Sequence, residues 1–230
     1  RQLDFLDTHP EVGLVSSRVE HWTPDGPSGQ GYAAYVDWSN ELLSDEDMRM
    51  RRFVESPLAH PAVVFRKNLV DRFGGYREGS FPEDYELWLR WMECGVRMEK
   101  LPEALLRWRD HDNRLSRRDP RYSRNAFYGM KLGYLHRWLE RNNPFHPAVK
   151  VWGAGRITRG RCHFLEEAGT FGSVAYPMVN GDGDLHHLGD GYLAVPHHGL
   201  FLDSSDSEHR RIGGEDDRSE ALYVESAQIA

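Results

Sequence analysis

Glu83 and Asp84 stand side by side where a helix is expected to begin, and a carboxylate so placed suits general-base chemistry. Ser80 and Glu83 have the spacing of a capping box, Pro82 is tolerated in a first helical turn, and Leu87, Trp88, Trp91 and Met92 recur at helical spacing. Asp84 is therefore expected in the first turn. There the unpaired N–H groups and the helix dipole favour the ionised form that takes a proton from a hydroxyl. The same position suits a solvated capping group, and local pattern leaves both readings open. His111 is a second candidate, since a neutral imidazole ligates a divalent metal and a charged one holds a phosphate oxygen. With Asp110, Asp112, Asn113, Arg114 and Ser116 around it, that stretch suits polar ligands or a solvated turn. Trp22 and Trp38 could stack on a sugar ring or pack in a core, and His60, ahead of Pro61, is a loop residue or lines an acceptor or donor pocket.

The elements that would position these groups follow from periodicity and turn chemistry. Gly13 to Val19 reads as a buried strand after a helix end at Arg1 to Thr8, and Thr23 to Gly31 as a turn-rich loop. Tyr35 to Val54 is mixed, acidic and helical, with Trp38, Leu42 and Leu43 as core contacts; Asp45-Glu46-Asp47 reads as its solvated face. Ala62 to Phe65, with β-branched Val63 and Val64, reads as a short strand, and Gly74-Gly75 as a turn that a Cβ would resist. Arg97 to Leu106 reads as a strand bent at Pro102, with Leu105 to Arg109 as a further strand or edge, and Asn125 to Arg141 as a long amphipathic helix.

The order of these segments is similar to the second half of family two, inverting, GT-A fold glycosyltransferases. The resemblance covers about half the chain. It is carried by Arg1 to Ser17, His60 to Arg66, Gly74-Gly75-Tyr76, Glu83-Asp84-Tyr85-Glu86-Leu87-Trp88, Leu101 to His111 and Leu115-Ser116-Arg117. It implies Asp84 as catalytic base with Glu83 its neighbour in an acidic pair, and His111, with Arg114 and Ser116, as ligands to the donor diphosphate or its metal. Trp22, Trp38 and His60 are then the acceptor-binding candidates. The resemblance also puts the nucleotide-binding strands and a metal-binding DxD upstream of Arg1. These residues are thus expected to be the acceptor side of a transferase whose donor half, and most of a magnesium or manganese site, lie outside this sequence. Its expected partners are a nucleotide-sugar donor and a glycan or lipid-linked acceptor.

The expected fold class is α/β: a partial GT-A, Rossmann-like fold over 1–124, a connecting helix over 125–144, a small Rossmann-like module over 145–178 and a poorly ordered tail over 179–230. Ala148 to Gly160 reads as strand, glycine loop and helix start, but Thr158 stands where a dinucleotide fingerprint needs its third glycine. A nucleotide- or dinucleotide-binding module centred on Gly153 to Gly160, or a truncated chain without activity, are the alternatives to sugar transfer. In the tail, His186-His187 and His197-His198 lie among Asp182, Asp184, Asp190 and Asp203 without the spacing of a recognised metal motif.

Composition sets outer limits. The 230 residues, 39% hydrophobic and 12% aromatic, allow a real core, and Cys94 and Cys162 form neither a CxxC nor a disulfide framework. A net charge of -7 argues against nonspecific nucleic-acid binding, although Arg107, Arg109, Arg114, Arg117, Arg118, Arg121 and Arg124 make a local basic run. That run could face diphosphate, anionic lipid or solvent. No apolar run approaches the roughly 20 residues that span a bilayer. The two lone cysteines fit a reducing compartment, and the expected place is the cytoplasm or the inner face of the membrane.

Overall fold

The computed structural model describes residues 1–23, 30–111, 113–144, 146, 149–152, 174–175, 200–202 and 222–225. They divide into two units: residues 1–52 with 56–127, and residues 53–55 with the described residues from 128 onward.

The first unit is a mixed α/β layer, consistent with a partial Rossmann-like glycosyltransferase fold. Helix α1 (Gln2–Thr8) leads into the long strand β1 (Val12–Trp22), which is buried along its first six residues. Strand β3 (Arg97–Arg109) pairs with β1 in parallel, and the short β2 (Val64–Phe65) pairs with it antiparallel on the other side, giving the order β2-β1-β3. Only Val64 and Phe65 of the expected strand are extended in the sheet, because His60–Ala62 turns as a 3-10 helix with Pro61 in its first turn. The two strands expected between Arg97 and Arg109 are one. The register jumps from Ser17 opposite Leu101 to Arg18 opposite Ala104, so Pro102, which has no N–H to donate, falls in the irregularity.

The helical stretch after the turn-rich loop is two helices, α2 (Gln30–Glu41) and α3 (Asp45–Arg51). Asp45 is not simply solvated. Its Oδ2 accepts from Arg49 at 2.6 Å and its Oδ1 from the backbone N–H of Met98 at 2.9 Å, tying α3 to β3.

Helix α4 (Asn68–Phe73) stops at Gly74, whose φ of +79° suits a residue without a Cβ. Helix α5 (Glu83–Glu93) then crosses the core, and every residue from Tyr85 to Met92 is buried. Trp88, Trp91, Leu87 and Met92 pack against Leu14, Met48, Leu58, Leu69 and Met98, with the Phe65 and Trp91 rings edge to face at 5.0 Å. Full burial of one such side chain is worth roughly 1.5–3 kcal/mol, so α5 is fixed by packing and its two polar members must be satisfied inside. They are: Arg90 pairs with Glu86 at 3.0 Å and donates to the carbonyls of Phe73, Gly74 and Gly75, while the Trp91 indole N–H reaches Gly74 at 3.1 Å. The glycine turn is thereby fastened to α5.

The capping box expected at Ser80 and Glu83 is absent. Pro82 is the N-cap, which leaves Ser80 outside the reach of the first N–H groups, and no side chain caps the helix. After β3 come α6 (Leu115–Arg118), a 3-10 turn (Pro120–Tyr122) and α7 (Arg124–Asn142), close to the helix expected from Asn125 to Arg141.

The second unit holds α7 from Tyr128, with Leu132, Leu135 and Leu139 buried, Lys131 donating to the carbonyl of Val54 at 2.9 Å, and the Phe53 and Trp138 rings 6.5 Å apart. Its sheet runs β5-β4-β7-β6, with β4 (Val149–Trp152) parallel to β5 (Val174–Ala175) and β7 (Leu222–Glu225) antiparallel to β4 and β6 (Leu200–Leu202). β4 is the strand expected before the glycine loop. β6 and β7 fall in 179–230, where periodicity pointed to no strand. The glycine loop at 153–160, the helix expected over 161–168 and the paired histidines of the tail lie outside the described residues.

Candidate active site

The start of α5 brings the two acidic residues to the edge of the core with different surroundings. Glu83 accepts from the hydroxyl of Tyr122 at 3.0 and 3.1 Å and has the Arg121 guanidinium at 3.6 Å. Asp84 faces inward. Its Oδ1 accepts from the N–H of Tyr85 at 2.8 Å, and its Oδ2 lies 3.8 Å from His60 Nδ1. The His60 Nε2 is in turn 2.8 Å from the Tyr76 hydroxyl, and the His60 ring sits edge-on to Trp88 with centroids 6.2 Å apart.

Burial decides the proton affinity of Asp84. It pushes the carboxyl above its ordinary value, against the lowering effects of His60 and the Tyr85 N–H, with Glu83 adding to the rise. The sequence alone suggested the opposite, because a helix start favours the charged form; at this helix start desolvation is the larger effect. A carboxylate with raised affinity is a stronger base, closer to the pH at which a hydroxyl must be deprotonated. Burial and the two carboxylates likewise raise Tyr76 and Tyr122, which stay protonated phenols and donors.

A second cluster forms where β3 ends. Asp110, wholly buried, donates its N–H to Trp22 O at 2.7 Å, and its carboxylate gathers Arg117 at 2.7 Å, His21 at 3.4 Å and Arg114 at 3.6 Å. Arg114 lies over the rings of Trp108 and Tyr32 at 4.1 and 4.7 Å, and the Tyr32 hydroxyl meets Ser116 Oγ at 2.6 Å. Among the described residues, this carboxylate faces two guanidiniums, a positive balance. Arg114 and Ser116 are thus brought together, while His111 is exposed beside them, its carbonyl accepting from the Arg114 N–H. Asp112 lies outside the described residues.

The expected acceptor residues separate. His60 is at Asp84; Trp38 packs against the main core beside Tyr35; Trp22 is half-buried with Arg107 and Arg109 over its ring at 4.9 and 5.9 Å. Tyr122 was not named from sequence, and Tyr76 and Asp110 were named only within longer stretches, without a role of their own. Tyr122 is 39 positions from Glu83 and Tyr76 16 positions from His60, so only the fold pairs them. Among the described residues, no group of three His, Cys, Asp or Glu side chains could hold a metal ion. Nor is any helix among them long and apolar enough to cross a membrane.

No family model matches the chain, and no solved structure does. Curated relatives do. It is 30% identical over 118 residues, 51% of this chain and 41% of the relative, to the amylovoran biosynthesis glycosyltransferase AmsE of Erwinia amylovora. It is 33% identical over 104 residues, 45% of this chain and 35% of the relative, to the UDP-Gal:alpha-D-GlcNAc-diphosphoundecaprenol beta-1,3-galactosyltransferase of Escherichia coli. To the O-antigen biosynthesis glycosyltransferase WbnJ of Escherichia coli it is 36% identical over 75 residues, 32% of this chain and 30% of the relative. The chain spans less than half the length of these relatives. All three are named glycosyltransferases, which supports a glycosyltransferase and sugar transfer in general.

Proposed function

We propose that this chain carries the catalytic base of an inverting glycosyltransferase. The observation that supports it is the half-buried Asp84 at the start of α5, with one oxygen engaged by a backbone N–H and the other turned toward His60. Asp84 Oδ2 takes the proton of an acceptor hydroxyl. As it does, the acceptor oxygen forms a bond to the anomeric carbon of a nucleotide-diphosphate sugar, and the bond from that carbon to the diphosphate breaks on the opposite face. The nucleoside diphosphate leaves with the electron pair. Glu83, held by Tyr122 and Arg121, keeps the helix start in place and raises the proton affinity of its neighbour.

His111, Arg114 and Ser116 are the residues proposed to meet the departing diphosphate, for which the positive balance around Asp110 is suited. A divalent metal, magnesium or manganese, would supply further charge neutralisation at that diphosphate, with His111 the described residue of a type that ligates it. The acceptor class is a glycan or a lipid-linked sugar, as in the name of the galactosyltransferase relative. A lipid-linked acceptor would place the reaction at the inner face of the membrane, where exposed Arg107, Arg109, Arg118 and Arg124 suit anionic headgroups.

The test is the anomeric configuration of the product. Proton NMR of the first glycoside formed by the full-length protein from an α-linked nucleotide sugar should show the β-anomer. An α-product would remove the single-displacement step and with it the role of Asp84.

A further inference from the structure

The ring of His60 is gripped from both sides. Nε2 lies 2.8 Å from the Tyr76 hydroxyl and Nδ1 lies 3.8 Å from Asp84 Oδ2, while Trp88 packs edge-on to the ring. A protonated phenol donates to the ring nitrogen that lacks a hydrogen, so a donating Tyr76 places the neutral ring's proton on Nδ1, toward the carboxylate. The turn that carries Tyr76 is itself held, since the buried Arg90 donates to Gly74 and Gly75 at 3.0 and 2.6 Å. The grip on the histidine thus rests on backbone fixed by α5, the helix that also presents Asp84.

We propose that His60 is a positioning residue for Asp84: its Nδ1–H faces Oδ2 and holds the carboxylate oriented and ionised, and Tyr76 selects the ring tautomer that does so. Its importance for catalysis rests on the transferase reading; the pairing itself does not. No proton passes to His60 in the step, because Nδ1 already carries its hydrogen and at 3.8 Å lies beyond hydrogen-bond distance of the carboxylate. The titratable groups facing Asp84 are His60, Glu83, Tyr76 and Tyr122, with Arg121 set against Glu83. Of these, His60 is the one able to carry positive charge beside the carboxylate. Loss of its ring therefore leaves Asp84 facing a carboxylate and two phenols.

The pairing is read by NMR titration of the Asp84 carboxyl and the His60 ring in this chain, so that no transfer activity is required. His60→Gln should raise the Asp84 midpoint by about one pH unit, and Asp84→Asn should lower the His60 midpoint by a similar amount. Tyr76→Phe, a milder change, should leave the ring in place but raise the share of the Nε2–H tautomer in the ring nitrogen shifts. In the full-length protein, His60→Gln should move the acid limb of kcat/KM up by the same unit. Midpoints that ignore loss of the partner, in variants whose amide spectra show an intact fold, would overturn the proposal. Linked midpoints in a protein that transfers no sugar would support the pairing and remove the transferase reading alone.

Discussion

Two helices of the first unit begin with acidic residues, and they put them to opposite uses. At α3, Ser44 and Asp47 form a full capping box: the Ser44 hydroxyl accepts from the Asp47 N–H and the Asp47 carboxylate from the Ser44 N–H, each at 3.1 Å. The Ser44 hydroxyl also donates to the Asp47 carboxylate at 2.6 Å, and this bond, with that from the Ser44 N–H, holds the exposed Asp47 carboxyl below its usual value. At α5 the N-cap is Pro82, which makes no side-chain bond, and Asp84 sits at the start of a helix buried from Tyr85 to Met92, where desolvation raises its proton affinity. An acidic helix start is thus a structural cap when its oxygens are spent on its own backbone. Its proton affinity rises instead when the packing of the helix takes it out of water.

The comparison can be broken most severely at the ion pair that anchors α5. Arg90→Ala would leave the buried Glu86 without its main partner and release the Gly74-Gly75 turn, and should cost about 3–5 kcal/mol in chemical denaturation. A loss below about 1 kcal/mol would mean that α5 is not held by this pair. At the other helix start, Ser44→Ala removes one cap and should cost about 1 kcal/mol, without altering transfer by the full-length protein.

The two carboxylates should also respond oppositely to pH. For Asp47, the unfolded chain binds more protons than the folded one between the lowered folded value and 3.8; its stabilisation is complete above 3.8 and is lost as pH falls through the folded value. For Asp84 the folded chain binds more protons between 3.8 and its raised value, so stability declines as pH rises through that window and stays reduced above it. Asp84→Asn should therefore raise the thermal midpoint at neutral pH by a few degrees, and Asp47→Asn should lower it. The same sign in both would contradict the assignment of burial to one site and capping to the other. The smallest effect is expected at Tyr122→Phe, which removes one donor to Glu83 and should change the transfer rate only a few-fold.

How far the sequence anticipated this differs between the two helix starts for a definite reason. Leu87, Trp88, Trp91 and Met92 announced α5 and put Asp84 in its first turn, because helical periodicity is local. The glycine turn was equally legible, since positive φ at Gly74 restricts residue type. The capping box was sought at Ser80, where Pro82 occupies the N-cap; the box at Ser44 was not sought, because its partner is Asp47 and not the glutamate or glutamine of the usual pattern. The raised proton affinity of Asp84 and the grip on His60 depend on groups distant in sequence, and on burial that only the assembled core creates. The gathering of Arg114 and Arg117 around Asp110 was hidden in what read as a basic run, because the spacing of charges does not say which of them a buried carboxylate will collect.

The most direct test sets the two carboxylates against each other in one reaction. Asp84→Asn and Asp47→Asn, made singly in the full-length protein, would be compared for initial rate of sugar transfer and for nucleotide-diphosphate affinity by calorimetry. The account predicts that Asp84→Asn loses about 10²–10⁴-fold in rate with nucleotide affinity nearly unchanged, while Asp47→Asn stays within about twofold of the unsubstituted protein. Transfer retained by Asp84→Asn, or lost equally in both, would contradict it.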